Sequence, residues 1–300
     1  MNATHAQHSG PLIQGTLSTI LAVSFLAGNG YFAKGLSTDV LTLTLIRALI
    51  AMLAIGIWLT LSKQTLGLRH RRDYPISAVA GVLLGVHWLC FFYSMNIATV
   101  TLGMTMLYTY PLMTLVLQHV CWRMKAPLAS WMMAPLIIVG VFLMGDMGSS
   151  TSGNNLPGIL LGLVSALCFA ARNLIQQHFL SGNGPLPTIF HQTLVVGGLI
   201  AIGPLIVPET TLALHHAPGE WPMWLALGIL FTAIPHSLMA FGIREIGAKS
   251  VAMIGCVQPV MAAIFAYVLL DESPSVAVIT GAAIVLVAAV IEIHLSQNRS

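Results

Sequence analysis

Charged residues are scarce in this sequence, and their scarcity limits the classes of protein it can belong to. Only 7% of the 300 residues are Asp, Glu, Lys or Arg, whereas 57% are hydrophobic; ordinary soluble domains carry about 25% charged residues. A soluble protein of this size needs far more polar surface, so the composition predicts a chain that faces lipid. The net charge of +3 comes without a basic cluster interleaved with aromatics, which argues against a nucleic-acid partner.

The chain also lacks the motifs of cofactor-dependent, metal-binding or hydrolytic proteins. Its cysteines all lie within apolar runs rather than loops, which argues against a disulfide framework or a metal cluster and favours packing roles. They are Cys90, Cys121, Cys168 and Cys256. No HExxH, GxSxG or glycine-rich phosphate loop occurs. We therefore predict no catalytic residues, no cofactor and no metal, and we expect neither an enzyme nor an ATP-driven pump.

Long apolar runs occupy most of the remaining sequence. A helix that crosses a bilayer needs about 20 mainly apolar residues, and its backbone polar groups must be satisfied internally, which favours helices. The first run is longer than a signal-peptide core and follows a segment without Lys or Arg, so we expect it to be retained. Ten segments fit: 12–34, 39–62, 74–97, 99–122, 129–148, 156–180, 186–208, 220–244, 248–270 and 273–295.

The distribution of Lys and Arg predicts the orientation of these spans. With the N-terminus in the cytoplasm, nine of the twelve basic residues fall in cytoplasmic loops or the tail, and the outer loops hold none. The nine are Lys63, Arg69, Arg71, Arg72, Arg123, Lys125, Arg244, Lys249 and Arg299. We therefore predict that both termini are cytoplasmic and that the protein resides in the inner (plasma) membrane as a multi-pass protein.

An internal repeat divides the predicted spans into two sets of five. Pro111 and Pro259 lie 148 residues apart (259 minus 111), and similar residues surround them, including a Leu-Met or Val-Met pair directly after each proline. Because each half has an odd number of spans, the second half enters the membrane from the opposite side. The prediction is an all-α membrane protein of ten transmembrane helices in a 5+5 inverted repeat, with halves at 12–148 and 156–295.

These features resemble the EamA-type transporters of the drug/metabolite transporter superfamily. The matching residues are Lys34 at the end of the first span, Leu45-Ile46-Arg47 in the second, the two proline segments, and the acidic stretch from Leu270 to Pro274. The first half departs from the pattern, because Trp122 to Pro127 contains no acid. The resemblance covers nearly the whole chain and implies a secondary transporter that exports small metabolites by alternating access.

The resemblance suggests several substrate classes. The chain is similar to the aromatic amino acid exporters of the family, so amino acids, including aromatic ones, are the favoured substrates. Efflux of multiple drugs as lipophilic cations is the alternative, while a metal exporter and a membrane-embedded enzyme are less favoured. No carboxylate lies at mid-depth, so proton coupling would fall to His87 or His236, because an unperturbed imidazole titrates near neutral pH. An uncoupled facilitator or exchanger needs no such group and is preferred.

Polar side chains with helical spacing predict which spans line the substrate path. They lie on spans 1, 3, 4, 6, 8 and 9; spans 5 and 10, and more weakly 2 and 7, are apolar enough to face lipid or a partner, which suggests a monomer or weak homodimer. The predicted substrate-binding residues are His87, Phe91, Tyr108, Phe169, Arg172, Asn173, His236 and Gln258.

Each of these residues also has a structural interpretation. A histidine in a span can serve as an interhelical hydrogen bonder, and serine or threonine stripes serve helix packing. Arg172 suits a carboxylate ligand because of its forked geometry, but it lies near enough to its helix end to reach lipid headgroups. Arg47 has no obvious acidic neighbour, and a structural role is preferred for it.

Overall fold

The computed structural model describes residues 3–29, 36, 38–144, 156–206, 212, 219–270 and 275–297. Within these residues every regular element is helical, so the all-helical class is confirmed. In chain order the elements are α1 (Ala3–Leu26), α2 (Val40–Leu61), α3 (Asp73–Ile97), α4 (Val100–Leu107), α5 (Tyr110–Trp122), α6 (Leu128–Met144), α7 (Leu156–Phe179), α8 (Pro185–Ile206), α9 (Trp221–Gly228), a π-helical turn (Ile229–Ala233), α10 (Ile234–Gly255), α11 (Gln258–Leu270) and α12 (Val276–Gln297).

Five of the described helices are long and apolar enough, by length and composition, to cross a membrane. They are Val40–Leu61, Asp73–Ile97, Leu156–Phe179, Pro185–Gly203 and the continuous segment Trp221–Gly255. Three shorter apolar helices accompany them: Gly10–Leu26, Leu128–Met144 and Val276–Ile291. The described part of the chain is thus helical and contains segments suited to span a membrane, while the count of ten spans and the placement of the termini stay predictions.

Two of the predicted spans are each split into two helices. The span predicted at 99–122 breaks at Tyr108 and Thr109, and the span predicted at 248–270 breaks at Cys256 and Val257. A proline two residues further on explains each break, since its ring clashes with the carbonyl four residues earlier and it offers no N–H. That carbonyl belongs to the last residue of the preceding helix in both cases.

The helix boundaries around these breaks recur at the offset seen in the sequence. Adding 148 to α4, 100–107, gives 248–255, which ends where α10 ends. Adding 148 to α5, 110–122, gives 258–270, the bounds of α11. The internal repeat found around the prolines is therefore present in the backbone as well.

Two further boundaries differ from the predicted ones. The first helix runs Ala3–Leu26 with Pro11 inside it, so it begins before the predicted start at 12. Residues 30–34, 145–148, 207–208 and 273–274 of the predicted spans lie outside the described residues. The predicted eighth and ninth spans are joined through Gly247, whose φ of 80° turns the chain between them. A residue with a Cβ rarely adopts that φ, so glycine suits this junction.

The periphery is formed in part by α6 and α12, which cross at two glycines. A side-chain carbon at Gly281 would overlap the carbonyl oxygen of Gly140, so the two backbones are in direct contact. Their outward side chains are exposed and apolar, among them Leu128, Met132, Val276 and Val290. Small residues at the crossing and apolar residues outside are typical of helices that meet within lipid.

Candidate functional site

A cavity of about 30 Å³ lies where the two helix breaks meet the neighbouring helices. It is lined from the end of α1, from α2, α3 and α7, from the break between α4 and α5, from α10, and from the first residue of α11. Spans 1, 3, 4, 6, 8 and 9 of the sequence analysis all contribute, together with span 2, for which no such role was predicted. A volume of this size holds about two water molecules.

Six of the eight predicted site residues line this cavity. They are His87, Phe91, Tyr108, Phe169, His236 and Gln258. Arg172 and Asn173 do not line it, although they share a helix face with Phe169. The cavity also has four aromatic or polar residues that were not among the predicted ones: Asn29, Arg47, Trp88 and Tyr110.

His87 is held in one orientation by α7. Its Nδ1 lies 2.8 Å from the Ser165 hydroxyl and 3.2 Å from the Ser165 carbonyl oxygen, while the same hydroxyl donates to the His87 carbonyl. A carbonyl only accepts, so this arrangement places the proton on Nδ1 and leaves Nε2 as an acceptor. The ring stacks on Phe169 with centroids 4.5 Å apart and lies 6.0 Å from Phe91. His87 therefore offers the cavity a fixed acceptor between aromatic faces.

His236 is fixed in a similar way by the π-helical turn. Its Nδ1 lies 2.9 Å from the carbonyl oxygen of Thr232, which again assigns the proton to Nδ1. The Thr232 hydroxyl donates to the carbonyl of Leu227, five residues earlier, with the wider spacing of a π-helix. The imidazole meets Trp88 edge to face at 5.2 Å. The two histidines of the cavity thus share the same tautomer and have aromatic neighbours.

Arg47 brings the charge of α2 into the cavity. Its guanidinium lies over the ring of Trp88 at 4.3 Å and near that of Phe92 at 5.1 Å, and its Nε donates to the Thr232 hydroxyl at 3.1 Å. The side chain is 1% exposed. Sequence reasoning missed this residue because α2 looked peripheral, although a charge within a span was itself a signal of function.

One side of the cavity is formed where α1 meets α11. Gln258 donates from Nε2 to the carbonyl oxygen of Leu26 at 2.9 Å, which satisfies a carbonyl at the end of α1. Two buried polar atoms nearby, Oδ1 of Asn29 and the hydroxyl of Tyr108, have no hydrogen bond within the described part of the chain. Because buried polar atoms are normally paired, these two are available to a ligand or to water.

Arg172 instead connects α7 to α8. Its Nε donates to Oε1 of Gln192 at 2.8 Å, Nη2 donates to the same oxygen, and Nη1 donates to Oδ1 of Asn173 at 2.9 Å. All three residues are fully buried. These contacts make Arg172 and Asn173 an interhelical hydrogen-bond group, apart from the cavity.

No carboxylate lines the cavity, and the described residues contain no group of three His, Cys, Asp or Glu side chains placed to hold a metal ion. The chemistry of the cavity is therefore that of one cation, two imidazoles, two amides, two phenols and further aromatic rings. Such a lining can bind a small polar solute by hydrogen bonds and stacking.

The chain belongs to the EamA-like transporter family, whose domain matches it twice, at residues 13–145 and 156–292. Among its relatives is an uncharacterized transporter, YxxF, of Bacillus subtilis (strain 168), which is 25% identical over 251 residues, covering 82% of this chain and 78% of the relative. The threonine/homoserine exporter RhtA of Escherichia coli (strain K12) is 28% identical over 141 residues, which cover 46% of this chain and 45% of RhtA. The family resemblance inferred from the sequence is thus confirmed.

A solved crystal structure shares the fold. It superposes with a TM-score of 0.78 at 18% sequence identity and covers 95% of this chain and 98% of the other. At that level of identity the likeness concerns the fold alone.

Proposed function

We propose that the protein is a secondary transporter that exports amino acids across the inner membrane, with the cavity between the two helix breaks as its substrate site. The observation that carries the proposal is that the first residue after each helix break lines the same polar, aromatic-rich cavity. The transporter family domain occurs twice in the chain, once for each break. The relative RhtA, named as a threonine/homoserine exporter, supports amino acids as the substrate class. Aromatic amino acids stay part of the proposal.

Alternating access suits the position of the site. The cavity holds about two water molecules, so a metabolite requires the surrounding helices to move apart. Helices interrupted at proline bend more readily than continuous ones, because the backbone carbonyls before the proline lack their usual partners. We propose ten spans in two inverted halves, 12–148 and 156–295, which rock against each other around this site.

The alternative of lipophilic-cation efflux is less well supported. Cation carriers need a negative or strongly cation-binding site, whereas this cavity has Arg47 in its wall and no carboxylate. A positive charge in a desolvated site repels a cation more strongly than it would in water. The charge of the lining therefore favours zwitterions and anions over cations.

The peripheral helices support a simple assembly and a lipid environment. The exposed side chains of α6 and α12 include many large apolar ones, so the bilayer, or a second copy of the chain in a weak homodimer, would cover these faces. The proposal requires no coupling ion, and uncoupled facilitated diffusion or exchange stays preferred over proton coupling.

A flux assay with the purified full-length chain in proteoliposomes tests the function. Vesicles are loaded with one unlabelled amino acid at a time and diluted into a solution of the same amino acid in radiolabelled form, with and without a pH gradient. The panel includes threonine, homoserine and phenylalanine. We expect counterflow of at least one amino acid above protein-free vesicles and none of a lipophilic cation. Accumulation of the cation alone would overturn the proposal in favour of multidrug efflux.

A further inference from the structure

Arg47 is a fully buried cation with an incomplete set of partners. Of its five N–H donors, only Nε–H makes a hydrogen bond to a residue that the structure describes, and the acceptor is the neutral hydroxyl of Thr232. Trp88 and Phe92 contact the guanidinium through their rings, and these contacts stabilise the charge without neutralising it. The four N–H groups on the two Nη nitrogens are the planar fork that binds carboxylates in proteins.

The protein supplies no counter-ion for this charge from its described acidic side chains. Each of them lies in a loop, near a helix end or beside the turn at Gly247, none lines the cavity, and each is engaged by a backbone amide, a hydroxyl or an arginine. They are Asp39, Asp73, Glu220 and Glu245. A buried arginine without an acid is costly in a membrane protein, and such residues normally face a polar cavity or a ligand.

The contrast with Arg172 shows that burial does not by itself leave an arginine incompletely bonded. Arg172 is equally buried, yet its Nε and both Nη nitrogens donate to amide oxygens of Gln192 and Asn173. Arg47 differs in two respects, since it lines the cavity and neither of its Nη nitrogens makes a hydrogen bond to a described residue. The two arginines therefore serve different purposes, one between helices and one facing the solute path.

We propose that Arg47 binds the carboxylate of the transported solute through its two Nη nitrogens, which makes it the residue that selects amino acids over their uncharged analogues. This inference rests on the proposed function and names the chemical group that the site recognises. The same cavity offers an acceptor for the ammonium group of a zwitterion. Oδ1 of Asn29 is a buried acceptor without a hydrogen bond in the described residues, and an ammonium group is a donor.

Trp88 and Thr232 position the guanidinium for this role. The Trp88 ring covers one face of it, and the Thr232 hydroxyl fixes Nε. Because one face of the guanidinium and its Nε are already held, the two Nη nitrogens point in a fixed direction. Little side-chain entropy is therefore lost when a carboxylate binds to them. Both residues are expected to act through Arg47 and not through the solute.

The experiment compares a transported amino acid with its primary amide, which keeps the ammonium group and the side chain but lacks the negative charge. Counterflow of both is measured in proteoliposomes with wild-type protein, Arg47→Gln and Arg47→Lys, and the rate in protein-free vesicles is subtracted to remove passive leakage. We expect the wild type to prefer the amino acid over the amide by about tenfold or more, as for a lost charged hydrogen bond. That ratio should fall to near one in Arg47→Gln and at least several-fold in Arg47→Lys.

The matched control is Arg172→Lys, which removes a guanidinium from an equally buried position outside the cavity. Its ratio of amino acid to amide should equal that of the wild type, whatever its overall rate. If Arg47→Gln fails to fold, Arg47→Lys keeps a positive charge and decides the question, with the folded fraction checked by gel filtration. Arg47 variants that keep the wild-type ratio would overturn the inference alone, whereas wild-type protein that moves no amino acid would overturn the proposed function.

Discussion

The hydroxyl of Tyr110 lies against the backbone of Gly255, so the first residue after one helix break touches the last residue before the other. A side-chain carbon at position 255 would overlap that hydroxyl. The two halves of the repeat thus meet where their helices are interrupted, next to the cavity that Tyr110 lines.

This contact predicts a compensating pair of substitutions. Gly255→Ala should lower the apparent melting temperature in detergent and reduce flux, because overpacking a tight contact costs about 1–3 kcal/mol. Tyr110→Phe removes the atom that the new methyl group overlaps, so the double variant should recover much of the loss. A double-mutant cycle of melting temperatures measures the coupling.

Gly198→Ala is the control for that cycle, since no atom lies within 4 Å of a side-chain carbon built there. It should be neutral or slightly stabilising, as expected from the higher helix propensity of alanine. The contact between the breaks would be unimportant if Gly255→Ala behaved like Gly198→Ala.

Replacing His87 by alanine should impair transport and leave membrane insertion intact. The substitution removes the Nε2 acceptor of the cavity, together with the bond to Ser165 and the stacking on Phe169 that hold the ring. A lost hydrogen bond to the solute costs about 1 kcal/mol, or a several-fold loss in binding. The measurement is counterflow in proteoliposomes at matched protein density. His191→Ala serves as the control, because His191 bonds to the Leu66 carbonyl outside the cavity; normal flux by His87→Ala would remove His87 from the site.

The group around Arg172 should behave as a structural link. Arg172→Lys loses the forked contact with Gln192, so it should lower the melting temperature while changing the flux of an amino acid and of its primary amide by the same factor. Gln192→Leu should destabilise the protein more, by about 3–5 kcal/mol, because it leaves a buried charge without its main acceptor. A selective loss of zwitterion transport in Arg172→Lys would instead place Arg172 at the substrate.

The predicted orientation can be tested with single cysteines. The native cysteines would first be replaced, since Cys121 is exposed, and cysteine would then be placed at Gln64 or Ser275, both exposed. A membrane-impermeant maleimide added to intact cells should label the Ser275→Cys chain and not the Gln64→Cys chain. The reverse pattern would invert the topology derived from the basic residues.

Apolar run length predicted most of the helices, because the membrane constrains length and backbone pairing so strongly. It did not predict that Pro111 and Pro259 split their spans, although the same prolines revealed the repeat. A proline permits several outcomes in a membrane helix, from a mild kink to a full break, and the choice depends on neighbouring helices. The early start of α1 before Pro11 shows the same ambiguity.

Helical spacing correctly predicted lining residues of the cavity where they lie on helix faces with a clear polar stripe. It grouped Arg172 and Asn173 with the cavity residues because the stripe on α7 runs about three turns, whereas only Phe169 of that stripe lines the cavity in the structure. Gln192, the partner of Arg172, lies on a helix that looked lipid-facing. The role of Arg47 depends on Trp88 and Thr232, which are distant in sequence, and spacing along one helix carries no information about such contacts.

The small size of the cavity affects how strongly any compound can bind. Since about 30 Å³ admits only water, a solute must bind to a wider form of the site. Its apparent dissociation constant then equals the intrinsic dissociation constant of that form divided by the fraction of protein molecules that adopt it. Weak apparent affinity is then compatible with a well-fitted site. An antibody fragment that recognises the wider form would raise the apparent affinity for substrate without touching the cavity.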